Sequence, residues 1–337
     1  MAITSRDVAR LAGVSQPTVS RALRGDPRVA AETRARVENA VAALGYVPSE
    51  AGRNLVTRTA KRIGIVVSDL TNPFYPHLIG PLHDALEDHG YRMMVFTERS
   101  DSQVPVEQLV DGSVDGVVLL TTDVGSVLPA ELSRRGLPFV FLNRESGSGI
   151  GDSSVVDNDL GGRLAANHLT GLGHRRVAGI FGLPTTSTGR DREIGFRLAL
   201  ADAGIGLAPE MTRHGPFEFD TGHHALREFL VLASPPTAVF CGNDVIAIGA
   251  LNAALAAGVR VPDELSLIGF DDIPMAAWEV FKLTTIGHDL EMMARSAAGL
   301  LVDRIKTKQT DPPHRIVSQP HVIERSTTAS PPPQLCP

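Results

Sequence analysis

The sequence predicts an α/β protein in which an all-α helix-turn-helix head precedes a two-lobed body of parallel sheets, and three observations predict it. Charge is divided unevenly: residues 1–62 hold eleven Arg and Lys against five Asp and Glu, while the remaining 275 hold 21 against 33. A head of +6 therefore precedes a body of −12 in a chain whose total is −6. Short apolar runs at helical spacing, stopped by Gly13 and Gly45, fill the head. From residue 62 onward β-branched runs alternate with amphipathic segments, the pattern of parallel strands joined by helices. With 337 residues, 43% of them hydrophobic, the chain has room for two or three compact units and is too apolar to be disordered.

In the head, Val8, Ala9, Leu11 and Ala12 follow helical spacing, and Gly13 suits a helix C-terminus that needs positive φ. Ser15 can cap a second helix, Pro17 falls in its first turn, and Val19, Ala22 and Leu23 repeat at i, i+3, i+4. Small Ala9, Gly13 and branched Val19 let the two helices cross closely, and a third helix with Val37, Ala40, Val41 and Leu44 covers them. A unit of this kind lays its second helix in the major groove of double-stranded DNA. Arg21 can donate two bonds to guanine, Gln16 can pair with adenine, and Pro17 can offer apolar contact to a thymine methyl. Ser5, Thr18, Ser20 and Arg28 are candidates for phosphate contacts.

In the body, strands are expected over 63–67, 92–96, 116–120 and 138–142 with helices over 75–89 and 126–135. A second series has helices over 159–172, 190–203, 221–232 and 244–257 with strands over 177–181, 238–241 and 265–269. Two such series mean two similar lobes, and ligands of open parallel sheets sit beyond the carboxyl ends of the strands. The loops there carry Asp69, Asn72, Phe74 and Tyr75, then Asn143, Asp157, Asn158, Asn243, Asp244 and Asp271. Asp244 is expected to cap the helix it begins. Asn243 and Asp271 can be either caps or ligand contacts, and Tyr75 and Phe217 either core aromatics or stacking surfaces.

Other classes are disfavoured. Cys241 and Cys336 lie 95 positions apart and imply no disulfide framework. The opening MAITSRDVAR lacks the apolar stretch of an export signal, and no segment approaches the length of a membrane span, so a cytoplasmic, nucleoid-associated protein is expected. No nucleophile elbow, dinucleotide fingerprint, Walker loop or zinc-protease motif occurs, so no catalytic residue, metal or cofactor is expected. The adjacent His223 and His224 fall at a polar helix start and read as solvated.

The stretch DVARLAGVSQPTVSRALRGDPRVAAETRARVENAVAALGYVPSEAGRNL closely resembles the DNA-binding head of the LacI/GalR family of bacterial transcription regulators, and motifs in family order continue through nearly the whole chain. The resemblance implies domains at 1–48 (the head), 49–61 (a hinge helix and linker) and 62–337 (an effector-binding and dimerising body resembling periplasmic sugar-binding proteins), with a flexible tail at 329–337. Lobe 1 would take 62–157 and 289–318, and lobe 2 158–284 and 320–328. A helix over 289–306 would rejoin lobe 1 and a strand near Val322 lobe 2.

It also implies that Leu55 wedges into the minor groove from a hinge that folds on DNA. Ala30 stands where the family has a Ser cap, and Gly52 where the hinge has Ala, each costing about 1 kcal/mol of helix stability. The effector-binding set implied is Tyr75, Asn143, Arg192, Phe217, Asn243 and Asp271, although the family commonly has Asp at the position of Asn143 and Gln at that of His288. Together these give a sequence-specific regulator, expected to be a repressor, that binds a pseudo-palindromic operator as a homodimer. Its operator affinity would be set by a small, sugar-like effector bound between the lobes. Residues 75–96 would carry part of the dimer contact.

Overall fold

The computed structural model describes residues 3–47, 59–97, 104–307 and 311–332. Leu55, Gly52 and Cys336 lie outside the described residues. The chain separates into two compact units, Met1–Thr59 and Ala60–Pro337.

The first unit has three helices, α1 (Ser5–Ala12), α2 (Gln16–Leu23) and α3 (Ala31–Leu44). At the start of α1 the Asp7 carboxylate accepts from the Thr4 N–H at 2.9 Å and from its hydroxyl at 2.7 Å. Gly13, at φ 63°, ends the helix in the left-handed region where only glycine is unstrained. The Ser15 hydroxyl caps α2 by accepting from Thr18 N–H. As the sequence suggests, α3 begins at Ala30 with no side-chain cap. Val8, Val19 and Val37, one from each helix, are fully buried against one another's helices. Leu11 departs from expectation: it is 56% exposed, because Val8, Ala9 and Ala12 already fill the buried face of α1.

The second unit is built from two six-stranded sheets. Lobe 1 contains β1 (Arg62–Val67), α4 (Phe74–Asp88), β2 (Arg92–Thr97), α5 (Val106–Val110), β3 (Gly116–Leu119), α6 (Leu128–Arg134), β4 (Phe139–Leu142) and β5 (Asp152–Val156). Lobe 2 contains α7 (Asn158–Gly171), β6 (Val177–Phe181), α8 (Ser187–Asp202), β7 (Thr212–His214), α9 (Phe219–Leu230), β8 (Ala238–Cys241), α10 (Asp244–Ala256), β9 (Ser266–Asp271) and β10 (Thr284–Gly287). The chain then returns: α11 (Leu290–Thr307) and β11 (Arg315–Ser318) complete lobe 1, and β12 (His321–Ile323) completes lobe 2. Strand order is β11-β5-β4-β3-β1-β2 in one sheet and β12-β10-β9-β8-β6-β7 in the other. All pairings are parallel except that of β12 with β10.

Alternation along the strands covers both faces of each sheet. In lobe 1, Ile63, Ile65, Val118, Val140 and Leu142 enter one core while Val66, Val117, Leu119, Phe139 and Phe141 enter another. In lobe 2, Phe240 and Ile268 face the first of these cores, whereas Val239, Cys241 and Leu267 fill a third. Where helices pair most closely, glycine is required: a Cβ on Gly195 of α8 would collide with the Asp159 carbonyl of α7, and one on Gly162 of α7 with the Arg192 carbonyl of α8.

Four strands, β5, β7, β10 and β11, and the short α5 are not anticipated by the apolar pattern. β5 shows why. Its sequence DSSVV is polar, yet Asp152 is buried because Arg304 reaches it through two hydrogen bonds of 2.7 Å and His314 N–H donates a third. Ala329, which the resemblance assigns to the tail, is tied to lobe 2. Ala329 N–H donates to Ser266 Oγ at 3.0 Å, and its carbonyl lies 2.8 Å from Nε2 of His174, whose other ring nitrogen bonds Thr237.

Candidate functional sites: a recognition helix and an inter-lobe cleft

On the first unit, Ser15, Gln16, Pro17, Ser20 and Arg21 all lie exposed on the first turns of α2 or its cap, and Thr18 is half-buried among them. Ser15 is spent as the cap, and its hydroxyl also bonds that of Thr18 at 2.8 Å. Gln16 is held by Ser5: its Nε2 donates to the Ser5 hydroxyl at 2.8 Å. Arg28 forms a forked pair with Asp26 at 3.0 and 2.8 Å, and this hydrogen bonding holds the Asp26 carboxyl well below the usual range. A phosphate reaching Arg28 therefore competes with that carboxylate.

On the second unit, Tyr75, Asn143, Arg192, Phe217, Asn243 and Asp271 are brought together. They line one cleft between the lobes with Asn72, Phe74, Arg144 and Thr188. Each arrives by the same logic. Asn143 follows β4, Asn243 follows β8 and Asp271 ends β9, all at carboxyl ends of parallel strands. Asn143 and Asp271 adopt positive φ, 76° and 108°, which turns the chain sharply at the strand end and is tolerated best by Asn, Asp and Gly. Tyr75 stands in the first turn of α4, and Phe217 precedes α9 with its ring where any side chain on Gly182 would stand.

Arg192 is the centre of the lobe 2 wall. Though 2% exposed, it has a partner on every nitrogen: Nε donates to Asn158 Oδ1 at 2.9 Å, Nη1 to the Gly242 carbonyl at 2.7 Å and Nη2 to Asp271 Oδ1 at 2.9 Å. Its guanidinium also lies 3.6 Å from the centre of the Phe270 ring. Burial pushes the Asp271 carboxyl up to about 6 even against the opposing pull of Arg192.

Asn243 does cap α10, its Oδ1 accepting from Ile246 N–H at 2.9 Å. Asp244 does not, contrary to expectation. It is the first helical residue, fully buried, and its oxygens accept from Thr285 Oγ1 at 2.5 Å and Ile273 N–H at 2.9 Å. Burial beside Asp271 raises its carboxyl well above the usual range. Asp157 caps α7 through Leu160 N–H, and Asp69 bonds Thr71, so neither lines the cleft. His288 is also absent from the lining. It is buried beside Phe270 with neither ring nitrogen hydrogen-bonded, and burial, together with Arg192, pushes its pKa down to about 3.

Hydrogen bonds between described residues cross the mouth of the cleft. Asn72 Nδ2 donates to the Phe217 carbonyl at 2.8 Å, Val124 N–H to the Thr185 carbonyl at 2.8 Å and Glu145 N–H to Ser187 Oγ at 3.0 Å. The space inside, with the open mouth included, is about 260 Å³. Sequence reasoning passed over Arg144 and Thr188. Arg144 directly follows Asn143 and stacks 5.7 Å from the Phe217 ring, a placement set by the loop after β4 and invisible to periodicity. Among the described residues no group of three or more His, Cys, Asp or Glu could hold a metal, and no helix is long and apolar enough to cross a membrane.

Comparison with known proteins gives two family matches. Residues 4–49 match the family described as bacterial regulatory proteins, lacI family, and residues 166–328 match the periplasmic binding protein-like domain. The HTH-type transcriptional regulator CelR of Thermobifida fusca is 36% identical over 95% of this chain and 96% of its own. Among solved structures, a transcriptional regulator CelR–cellobiose complex aligns at TM-score 0.73 with 33% identity, covering 96% of this chain and 99% of that one. The lac repressor dimer bound to operator and the anti-inducer ONPF aligns at TM-score 0.85 with 26% identity, covering 98% of this chain and 100% of that one.

Proposed function

The chain belongs to the LacI family of bacterial regulatory proteins, and from that premise we propose that it is a cytoplasmic, non-enzymatic repressor whose operator affinity is set by a sugar-like molecule held in the inter-lobe cleft. The observation that carries this reading is the composition of the cleft. Aromatic faces from Phe74, Tyr75 and Phe217 converge with Arg192, Asn143, Asn243 and Asp271, contributed by both lobes. Flat apolar faces and forked polar partners are what a polyhydroxyl ring requires. The solved relative with cellobiose bears on the ligand class, since that protein shares both lobes with this chain.

Control follows from differential affinity. A ligand that prefers one separation of the lobes shifts the population toward it, and only that preference can change DNA binding. In the head, Gln16, Pro17 and Arg21 face base edges, and Ser5, Ser15, Thr18, Ser20 and Arg28 supply the flank. Two copies reach half-sites about one helical turn apart, and Leu55 from each wedges between base steps.

A gel shift with the palindrome nearest its own promoter tests the reading, run with and without sugars, sugar acids and nucleosides. A salt-sensitive shift altered by one ligand class is expected; no shift under any condition refutes it. Leu55→Ala is expected to lower specific operator affinity at least ten-fold and to leave ligand affinity unchanged. Undiminished operator binding would remove the wedge from the mechanism.

A further inference from the structure

The cleft is lined by three charged side chains, Arg144, Arg192 and Asp271. Arg192 and Asp271 form a buried ion pair at 2.9 Å, so these two charges offset each other. Arg144 has no such partner. Among the described residues no carboxylate lies within ion-pair distance of its guanidinium, whose hydrogen bonding is a single contact of 3.3 Å from Nη1 to the Thr121 carbonyl. Its Nε is buried with nothing to donate to. Neighbouring carboxylates are engaged elsewhere: Glu145, next in the chain, forks onto Arg315 at 3.0 and 3.1 Å, and Asp69, outside the lining, accepts from the N–H and hydroxyl of Thr71. The lining therefore carries one positive charge that the protein leaves uncompensated.

The two arginines also come from opposite walls. Arg144 belongs to the loop after β4 in lobe 1 and Arg192 to α8 in lobe 2, yet both guanidiniums stand by the same ring, 5.7 and 5.8 Å from the centre of Phe217. Like charges brought together in a partly buried site repel. A neutral polyhydroxyl molecule leaves that repulsion in place, whereas an oxyanion supplies the missing counter-charge and an acceptor for Nε.

We infer that the cleft takes an acidic polyhydroxyl ligand, a sugar bearing a carboxylate or a phosphate, with its oxyanion on Arg144 and its ring against the aromatic faces. The inference rests on the proposed sugar-like effector and narrows it. Carboxylate and phosphate share the forked acceptor geometry that a guanidinium recognises, so this site selects for charge. Asn143 fits the same scheme. Its amide adds no charge beside Arg144, and an aspartate in its place would provide the counter-charge from within the protein.

The test is titration calorimetry on the full-length protein with matched compounds: glucose, glucuronate and glucose 6-phosphate, then galactose with galacturonate and cellobiose with cellobionate. At least one acid or phosphate is expected to bind about ten-fold or more tightly than its neutral counterpart, the scale of a charge-assisted hydrogen bond. Which of the two binds identifies the acidic group. Arg144→Gln is expected to bring that ratio of affinities close to one, and Arg144→Lys to keep most of it. Asn143→Asp, at a φ of 76° that aspartate tolerates, is expected to abolish the preference while Arg144 is still present. Because each variant is read as a ratio, a general weakening of the cleft cancels.

A neutral sugar that binds as tightly as its charged counterparts overturns the inference and leaves the proposed function standing. An unchanged ratio in Arg144→Gln overturns it as well. If no charged compound binds at millimolar concentration the inference fails, and if no neutral one binds either, the sugar-like effector fails with it.

Discussion

The two walls of the cleft are built to different standards. On the lobe 2 wall every nitrogen of Arg192 has a partner, and the residues that hold it, Asn158, Asp271 and the Gly242 carbonyl, come from three separate strand ends and helix starts. On the lobe 1 wall, Asn143 Oδ1 and Arg144 Nε are buried with no hydrogen-bond partner in the protein. A buried polar atom without a partner is costly, and a ligand that supplies the partner recovers that cost. Lobe 2 is thus a finished surface against which a ligand can lie. Under the proposed function a ligand supplies partners to these lobe 1 atoms, and that gain favours the closed arrangement.

Arg192→Ala should have the largest effect. It strands the Asp271 carboxylate and Asn158 Oδ1 in a buried site, and removing one partner of a buried ion pair costs about 3–5 kcal/mol. Urea unfolding should show that loss in the body, and gel shifts should show operator binding retained without ligand response. A stable body that still responds would mean that the lobe 2 wall is dispensable.

Asn143→Gly isolates the other wall. Glycine accepts the φ of 76° without strain, so stability should change by less than about 1 kcal/mol while ligand affinity falls about five-fold. Thermal shifts with and without ligand measure both. If its cost in stability equals that of Arg192→Ala, the contrast between the walls disappears.

A further effect concerns pH. His288 stays neutral in the folded body down to about pH 3, but in the unfolded chain it takes up a proton near pH 6.5. Below that value the unfolded state binds more protons, so stability contributed by the neutral form is present above pH 6.5 and is lost progressively as pH falls toward 3. Replacing His288 with Leu should flatten the acid limb of the unfolding midpoint over that window. An unchanged limb would place the acid sensitivity elsewhere.

Much of this was legible in the sequence because backbone and burial rules are local. Gly13, Ser15 and Gly45 punctuate the head where helices end and begin, and 177–181 and 238–241 are apolar enough to be read as strands to the residue. The six cleft residues followed from strand-end position and family order. What stayed hidden depended on partners far away in sequence. β5 is buried only because Arg304, 152 positions on, neutralises Asp152. Asp244 looks like a cap until Thr285 and the Ile273 amide are folded against it. Leu11 has the right spacing for burial and lacks only a surface to meet.

The return of the chain through α11, β11 and β12 has a consequence for synthesis. A chain emerging from the ribosome presents the whole head first. At residue 289, however, lobe 1 still lacks α11 and its edge strand, and lobe 2 lacks β12, so neither wall is supported on all sides. DNA-reading parts thus exist for most of translation without a working sensor. A message broken before the codons for α11 would yield a head attached to a body without the elements that complete both lobes.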